Sequence, residues 1–178
     1  MPEEFISNPF KLEFETRFTF GYDVNDDYKV IRVVEFQKKR PEVKMYSLNM
    51  HSWKHIQEVW PTTNLGVNWS RSICVNESIH WLLLESNKYS VICFNLATES
   101  FKYYKTLALL DANRYKMCRL EVIKEKVCFT TMLKNNGKTY NEVWVLNNYG
   151  IDSSWTRFYK IKQESDLTFF EYLKPLAC

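Results

Sequence analysis

Val43-Lys44-Met45-Tyr46-Ser47-Leu48-Asn49-Met50-His51-Ser52-Trp53-Lys54 is the stretch on which the reading of this chain turns. It aligns without a gap with Val91-Ile92-Cys93-Phe94-Asn95-Leu96-Ala97-Thr98-Glu99-Ser100-Phe101-Lys102, 48 residues further on. A third copy runs from Val143-Trp144-Val145-Leu146-Asn147-Asn148 to Ser153-Ser154-Trp155-Thr156, with a turn two residues longer. Each copy reads as a strand, a polar turn, and a second strand that opens on Ser and a large aromatic residue. A hairpin pattern precedes each copy. Phe14–Phe20 and Tyr28–Phe36 flank a polar turn, Ile73–Leu84 carries Asn76-Glu77 at its centre, and Leu120–Leu133 carries Lys124-Glu125-Lys126. These runs are rich in Val, Ile, Phe, Tyr and Trp, the residues that fit a pleated sheet. The sequence therefore predicts an all-β, antiparallel protein of three propeller-blade-like units, each of about four strands and about 48 residues. Closed propellers typically have about 4–8 blades, so three units predict an open or incomplete propeller.

The bulk composition agrees with a folded domain. Of 178 residues, 46% are hydrophobic and 16% aromatic, far above what a disordered chain carries. Four Gly and five Pro leave little room for a linker or low-complexity tract. The net charge of +3 is dispersed, which argues against nucleic acid as a partner. The densest basic run, Lys38-Lys39-Arg40, reads as a solvated loop. No secretory signal opens the chain, and no apolar stretch approaches the roughly 18 residues of a membrane helix. Five cysteines, an odd number without CxxC spacing, predict reduced thiols and a cytoplasmic or nuclear location.

Catalytic chemistry is hard to find. His51 falls in a turn, His55 ends a strand, and His80 lies in a strand beside Trp81. His51 and His55 are four apart, but no Glu stands between them and the context is a hairpin rather than a helix. Asp23-Val24-Asn25-Asp26-Asp27 begins like a calcium loop, yet Tyr28 replaces the required Gly and Val34 the closing Glu. Nucleophile-elbow, phosphate-loop and dinucleotide fingerprints are all missing, so no cofactor is expected. Trp53, Trp81, Trp144 and Trp155 recur at matching places and read as packing between sheets.

Phe20-Gly21-Tyr22-Asp23 followed by Asn25-Asp26-Asp27-Tyr28-Lys29-Val30-Ile31-Arg32-Val33 resembles the opening of the plant F-box-associated domain. Val43–Leu48 with Ser52-Trp53-Lys54, Ile79-His80-Trp81-Leu82, and Val91–Leu96 with Glu99-Ser100-Phe101 are similar to its next elements. Glu142–Leu146, Tyr149-Gly150-Ile151 and Ser154-Trp155-Thr156 complete the order. The finer likeness is to the S-locus F-box branch. The resemblance implies a non-catalytic, protein-binding specificity subunit of an SCF-type ubiquitin ligase. It further implies that an N-terminal F-box docks the Skp adaptor and, through it, the cullin, and that the S-locus branch targets S-RNases in self-incompatibility. Residues 1–13 read as an N-terminal extension, 14–161 as the recognition domain and 162–178 as a tail. The roughly 40–50 residues of an F-box have no room ahead of Gly21, which suggests a truncated product or a fragment. Two other readings stand beside this one. A hydrolase or sugar-active enzyme on a propeller-like scaffold would need carboxylates gathered round one pocket, and a truncated product would have no function.

A four-stranded meander puts the first and third turns of every unit at one end. That end would gather Asp23, Asp26, Asp27, Glu77, Glu99, Glu125 and Asp152 against Lys124 and Lys126. The second turns and the links between units, with Lys38, Lys39, Arg40, Arg71, Lys88, Lys105, Arg114, Lys116, Lys134 and Lys138 against Glu42, Glu58, Glu85 and Asp111, would make the opposite end basic. Loops on a rigid sheet scaffold commonly carry binding. Asp23, Asp26, Asp27, Glu77, Glu99 and Asp152 are therefore the expected partner-binding residues, suited to a basic protein substrate such as an S-RNase.

Overall fold

β-branched and aromatic runs separated by two- to eight-residue polar turns leave the chain few options other than local hairpins. A computed structural model of the chain describes residues 14–36, 41–57, 67–85, 87–104, 113–149 and 151–162. The extension 1–13, the basic loop Lys38-Lys39-Arg40 and most of the tail lie outside these residues. Among the described residues twelve strands form three four-stranded antiparallel sheets, each a meander of consecutive strands. Sheet 1 holds β1 (Phe14–Tyr22), β2 (Tyr28–Phe36), β3 (Glu42–Ser47) and β4 (Ser52–His55). Sheet 2 holds β5 (Val67–Val75), β6 (Ser78–Glu85), β7 (Lys88–Asn95) and β8 (Ser100–Tyr104). Sheet 3 holds β9 (Tyr115–Ile123), β10 (Lys126–Asn135), β11 (Lys138–Leu146) and β12 (Trp155–Lys162), with a short 3-10 turn at Asp152–Ser154 before the last strand. The expected all-β fold of three blade-like units is the observed one.

Three hairpins close through two residues with positive φ: Asn76-Glu77, Lys124-Glu125 and Asn136-Gly137. This left-handed pair matches the right-handed twist of the flanking strands, and it sets their register. β9 carries a bulge opposite Thr130–Met132, and β12 another opposite Val143–Trp144.

The sheets stack face to face, and two apolar layers hold the stack. Ile31, Val33, Val43, Met45 and Ile56 of the sheet 1 side meet Ile79, Trp81, Leu83, Ile92, Phe94 and Leu96 of sheet 2. The opposite face of sheet 2, with Leu82, Val91, Cys93 and Tyr104, meets Leu120, Val127, Phe129, Trp144, Leu146 and Trp155 of sheet 3. Sheet 2 is thus covered on both sides. In β7 the residues Ser90 to Phe94 are buried without interruption, whereas β3 alternates half-buried and buried positions. Continuous burial is what a strand between two layers shows, and alternation marks one covered face. Gly21 of β1 packs directly against side chains of sheet 2 and its third turn. A Cβ there would lie 2.6 Å from Leu96 Cδ1 and 2.9 Å from Cys74 Sγ, so only glycine fits without a shift.

Candidate protein-binding surface

The first turn of sheet 1 is built around buried charge. Asp23 accepts hydrogen bonds from the Asn25 N–H at 2.9 Å and from Lys29 Nζ at 2.8 Å, while the Asp27 N–H approaches at 3.3 Å. Lys29 Nζ also donates to the Leu96 carbonyl of sheet 2 at 2.7 Å, so one ammonium ties the turn to the neighbouring sheet. Asp27 accepts from Ser47 Oγ at 2.6 Å and from the Asn49 N–H at 3.0 Å, which fastens the first turn to the third. Ser47 Oγ in turn accepts from the Met50 N–H at 3.0 Å. Burial by itself would push the Asp23 carboxyl up. The Lys29 ammonium and the backbone N–H groups outweigh it and hold the carboxyl below its ordinary range. Asp27 is held low in the same way: burial opposes, and Ser47 and the Asn49 N–H prevail.

These contacts place the expected partner-binding acids in two groups. Asp23 and Asp27 are 3% and 7% exposed, so their carboxylates organise the turns from inside rather than facing a partner. Asp26 is exposed at the tip, in a left-handed conformation with φ of 54°. Glu77 is half-buried, and its carbonyl accepts from the Leu96 N–H at 2.8 Å. Glu99, also half-buried, forms an ion pair with Lys54 of sheet 1 across an open cleft that His55, Ile56 and Gln57 also line. Asp152 stands in the 3-10 turn before β12. The meander order does bring first and third turns to one end. Its negative charge is smaller than the raw count of acids, because Lys29 and Lys54 neutralise two of them.

The same end carries apolar side chains that the acidic-turn reading passed over. Val24 is 67%, Met50 74% and Leu48 47% exposed, in the first and third turns of sheet 1 that the Asp27–Asn49 and Leu48–Tyr28 bonds hold together. Their signal was in the sequence, as apolar residues inside otherwise polar turns. Exposed apolar patches with a polar border mark interaction sites. The clamp of Asp23, Asp27, Lys29 and Ser47 fixes the backbone that presents them.

Two further clusters lie between the sheets. His80, 1% exposed, pairs through Nε2 with the Tyr149 hydroxyl at 2.8 Å, and burial lowers its pKa to about 4. Glu142, 1% exposed, receives Arg157 at 3.3 Å, Lys160 at 3.4 Å and the Trp144 indole N–H at 3.2 Å. In both clusters the acid or imidazole is buried while its partners Tyr149, Arg157 and Lys160 reach the surface, and His80 Nδ1 has no hydrogen-bond partner among the described residues. Among the described residues no group of three or more His, Cys, Asp or Glu side chains is placed to hold a metal ion. No helix among them is long and apolar enough to cross a membrane.

Comparison with known proteins gives one consistent result. Residues 5–175 match the F-box associated beta propeller domain. The chain is 27% identical to F-box protein CPR1 of Arabidopsis thaliana, an alignment that takes in 90% of this chain and 44% of that protein. It is 27% identical to F-box protein At4g22390 of the same plant, with the same two coverages. With the F-box/kelch-repeat protein At3g23880, also from Arabidopsis thaliana, identity is 23% over 89% of this chain and 42% of the relative. The chain thus spans less than half the length of these curated relatives.

Proposed function

This chain belongs to the F-box associated beta propeller domain family, and on that premise we propose that it is the target-binding part of an F-box protein. Its task is to hold a protein substrate of an SCF-type ubiquitin ligase in the cytoplasm or nucleus. It performs no chemistry of its own. Docking to the Skp adaptor and cullin falls to an F-box in the proteins of this family. The observation that carries the reading is the end of sheet 1, where exposed Val24 and Asp26 on the first turn and Met50 on the third stand on turns tied together from beneath. A rigid turn with apolar anchors and a charged tip loses little conformational entropy on binding, which favours selective capture of another protein.

The finer reading takes the target to be an S-RNase, a basic protein, as the S-locus likeness implies. Asp26, Glu77 and Asp152 then supply the attraction, Glu99 being held by Lys54, while Asp23 and Asp27 act by positioning the turn. Facing charges mainly speed encounter, and salt weakens them. The test measures association of the chain with purified S-RNase and, separately, with proteins captured from plant extract. Changing Val24 and Met50 to Ser should weaken capture roughly tenfold or more, the scale of losing interface anchors. Changing Lys134 and Lys138 to Gln, at the opposite end, should leave it unchanged. The reading is overturned if the Lys134/Lys138 pair matters more. Asp26→Asn should slow association with S-RNase at low salt. If S-RNase does not bind while another captured protein does, and depends on Val24 and Met50, the finer reading alone falls.

A further inference from the structure

Each sheet in the stack presents a leading face to the sheet before it and a trailing face to the sheet after it. The leading face of sheet 2 is a cross-strand row of Trp81, Ile92 and Tyr103 beside a second row of Ile79, Phe94 and Phe101. By the 48-residue repeat, Ile92, Phe94, Phe101 and Tyr103 correspond to Lys44, Tyr46, Trp53 and His55 in sheet 1. The strand pairing extends the match. Arg32 lies opposite Lys44 as Trp81 lies opposite Ile92, and Val30 lies opposite Tyr46 as Ile79 lies opposite Phe94. Ring geometry is retained as well. Phe94 and Phe101 have centroids 4.8 Å apart at 53°, and Tyr46 and Trp53 are 5.3 Å apart, also at 53°.

The surface that sheet 2 uses to receive a neighbour therefore exists in sheet 1 and is open there. Phe18, Phe20 and Trp53 on it are 55%, 70% and 49% exposed. Register places Phe18 beside Arg32 and Phe20 beside Val30, so these rings widen the same face. Arg32, Lys44 and His55 form one polar row across it. Such a row suits an interface that must also be soluble when open.

Sheet 3 carries the complementary surface. Val143 and Val145 of its trailing face stand where the repeat puts Val43 and Met45 of sheet 1, the residues that meet the leading face of sheet 2. Tyr159 lies opposite Val143 and Ile161 opposite Asn141, and both are more than half exposed, at 55% and 54%. Val145 is itself covered at 9% exposure, so the open part of this face is the Val143, Tyr159 and Ile161 region.

We propose that the leading face of sheet 1 docks the trailing face of sheet 3 from a second copy of this chain, extending the internal stacking between molecules. The contact is heterologous, and two such contacts around a two-fold axis close a ring. The described residues hold three sheets, so two copies bring together six of them, inside the typical span of about 4–8 blades for a closed propeller.

The test is the mass of the full chain in solution, followed by sedimentation from about 1 to about 100 µM, the range of transient interfaces. The expected result is a concentration-dependent species of twice the 21.4 kDa chain mass. Tyr46→Ser with Trp53→Ser should weaken it roughly tenfold or more, and so should Tyr159→Ser with Ile161→Ser. Mixing the two variants should restore a dimer through the one intact pair of faces. Arg32→Glu, a surface change that leaves the aromatic rows in place, checks the leading face should the double variant fold poorly, and it too should weaken the dimer. A chain that stays monomeric at the top concentration overturns the proposal. So does a dimer lost with the sheet 1 variants alone, which would mean like faces pair. Open-ended growth in mass with concentration also overturns it, because the ring would not close.

Discussion

Sheets 1 and 2 are copies of one pattern with different surroundings. Sheet 2 lies between two neighbours, and Phe94 and Phe101 are packed into the layer it shares with sheet 1. Sheet 1 has one neighbouring sheet among the described residues, and the matching Tyr46 is half-buried and Trp53 exposed. At the next row Trp81 and Ile92 are replaced by Arg32 and Lys44. The pair teaches that the repeat encodes strand, turn and ring geometry, whereas burial follows from position in the stack. The hydrophobic contribution of a given position should therefore differ greatly between copies, since it scales with apolar area removed from water.

Replacing the equivalent aromatic residue in each sheet breaks the comparison most directly. Phe94→Ala opens a cavity in a layer where the ring is fully buried and should cost about 3–5 kcal/mol. Tyr46→Ala should cost about 1 kcal/mol or less, as substitutions at half-exposed sites usually do. Urea unfolding of both variants reads the difference, and equal losses would mean that sheet 1 is as enclosed as sheet 2.

Acid separates the sheets next. His80, on the trailing side of sheet 2, has a folded pKa of about 4, below the ordinary value near 6.5. The unfolded chain takes up the proton first as pH falls. His80 therefore lends its full stability above about pH 6.5 and withdraws roughly 3 kcal/mol by pH 4. In sheet 1 the depressed carboxyls of Asp23 and Asp27 act lower. Their contribution is complete above their unfolded values near 4 and fades as pH drops through the folded ones. Urea midpoints measured from pH 7 to pH 4 should fall, and His80→Gln should flatten that fall. A slope unaltered by the substitution would place the titrating group elsewhere.

The finest contrast lies within one turn. Asp23→Asn removes the buried partner of Lys29 and should cost about 2 kcal/mol, the scale of a charged hydrogen bond. Asp26→Asn, three residues on and exposed, should stay within about 0.5 kcal/mol. Thermal melts of the two variants check this, and a larger loss at Asp26 would reverse the assignment of inside and outside.

Strands, hairpins and the three-unit order were legible because they depend on local chemistry, with apolar runs between turn residues. Facing was not. In β2 the sets Tyr28, Val30, Arg32 and Lys29, Ile31, Val33 are equally apolar by eye, yet the set containing Lys29 is buried. The reason is a carboxylate at Asp23 and a carbonyl at Leu96, the second of them 67 residues away. Asp23 and Asp27 likewise read as surface charge in the sequence, yet Asp23 is held inward by Lys29, itself anchored on Leu96, and Asp27 by Ser47 and Asn49 of the third turn. Glu142 and His80 gave no sign of their enclosure either, since Arg157, Lys160 and Tyr149 come from a later strand and turn.

The Lys29 bridge also has a meaning in time. Each meander pairs neighbours in sequence, so its hairpins can form early and independently, at small loop-closure cost. Lys29 cannot satisfy its second bond until the last hairpin of sheet 2 has delivered the Leu96 carbonyl. The bridge is therefore made after the individual sheets, when they dock. Contacts made that late govern how slowly a native protein comes apart more than how quickly it assembles. In this chain one ammonium acts as a latch on the lifetime of the folded state.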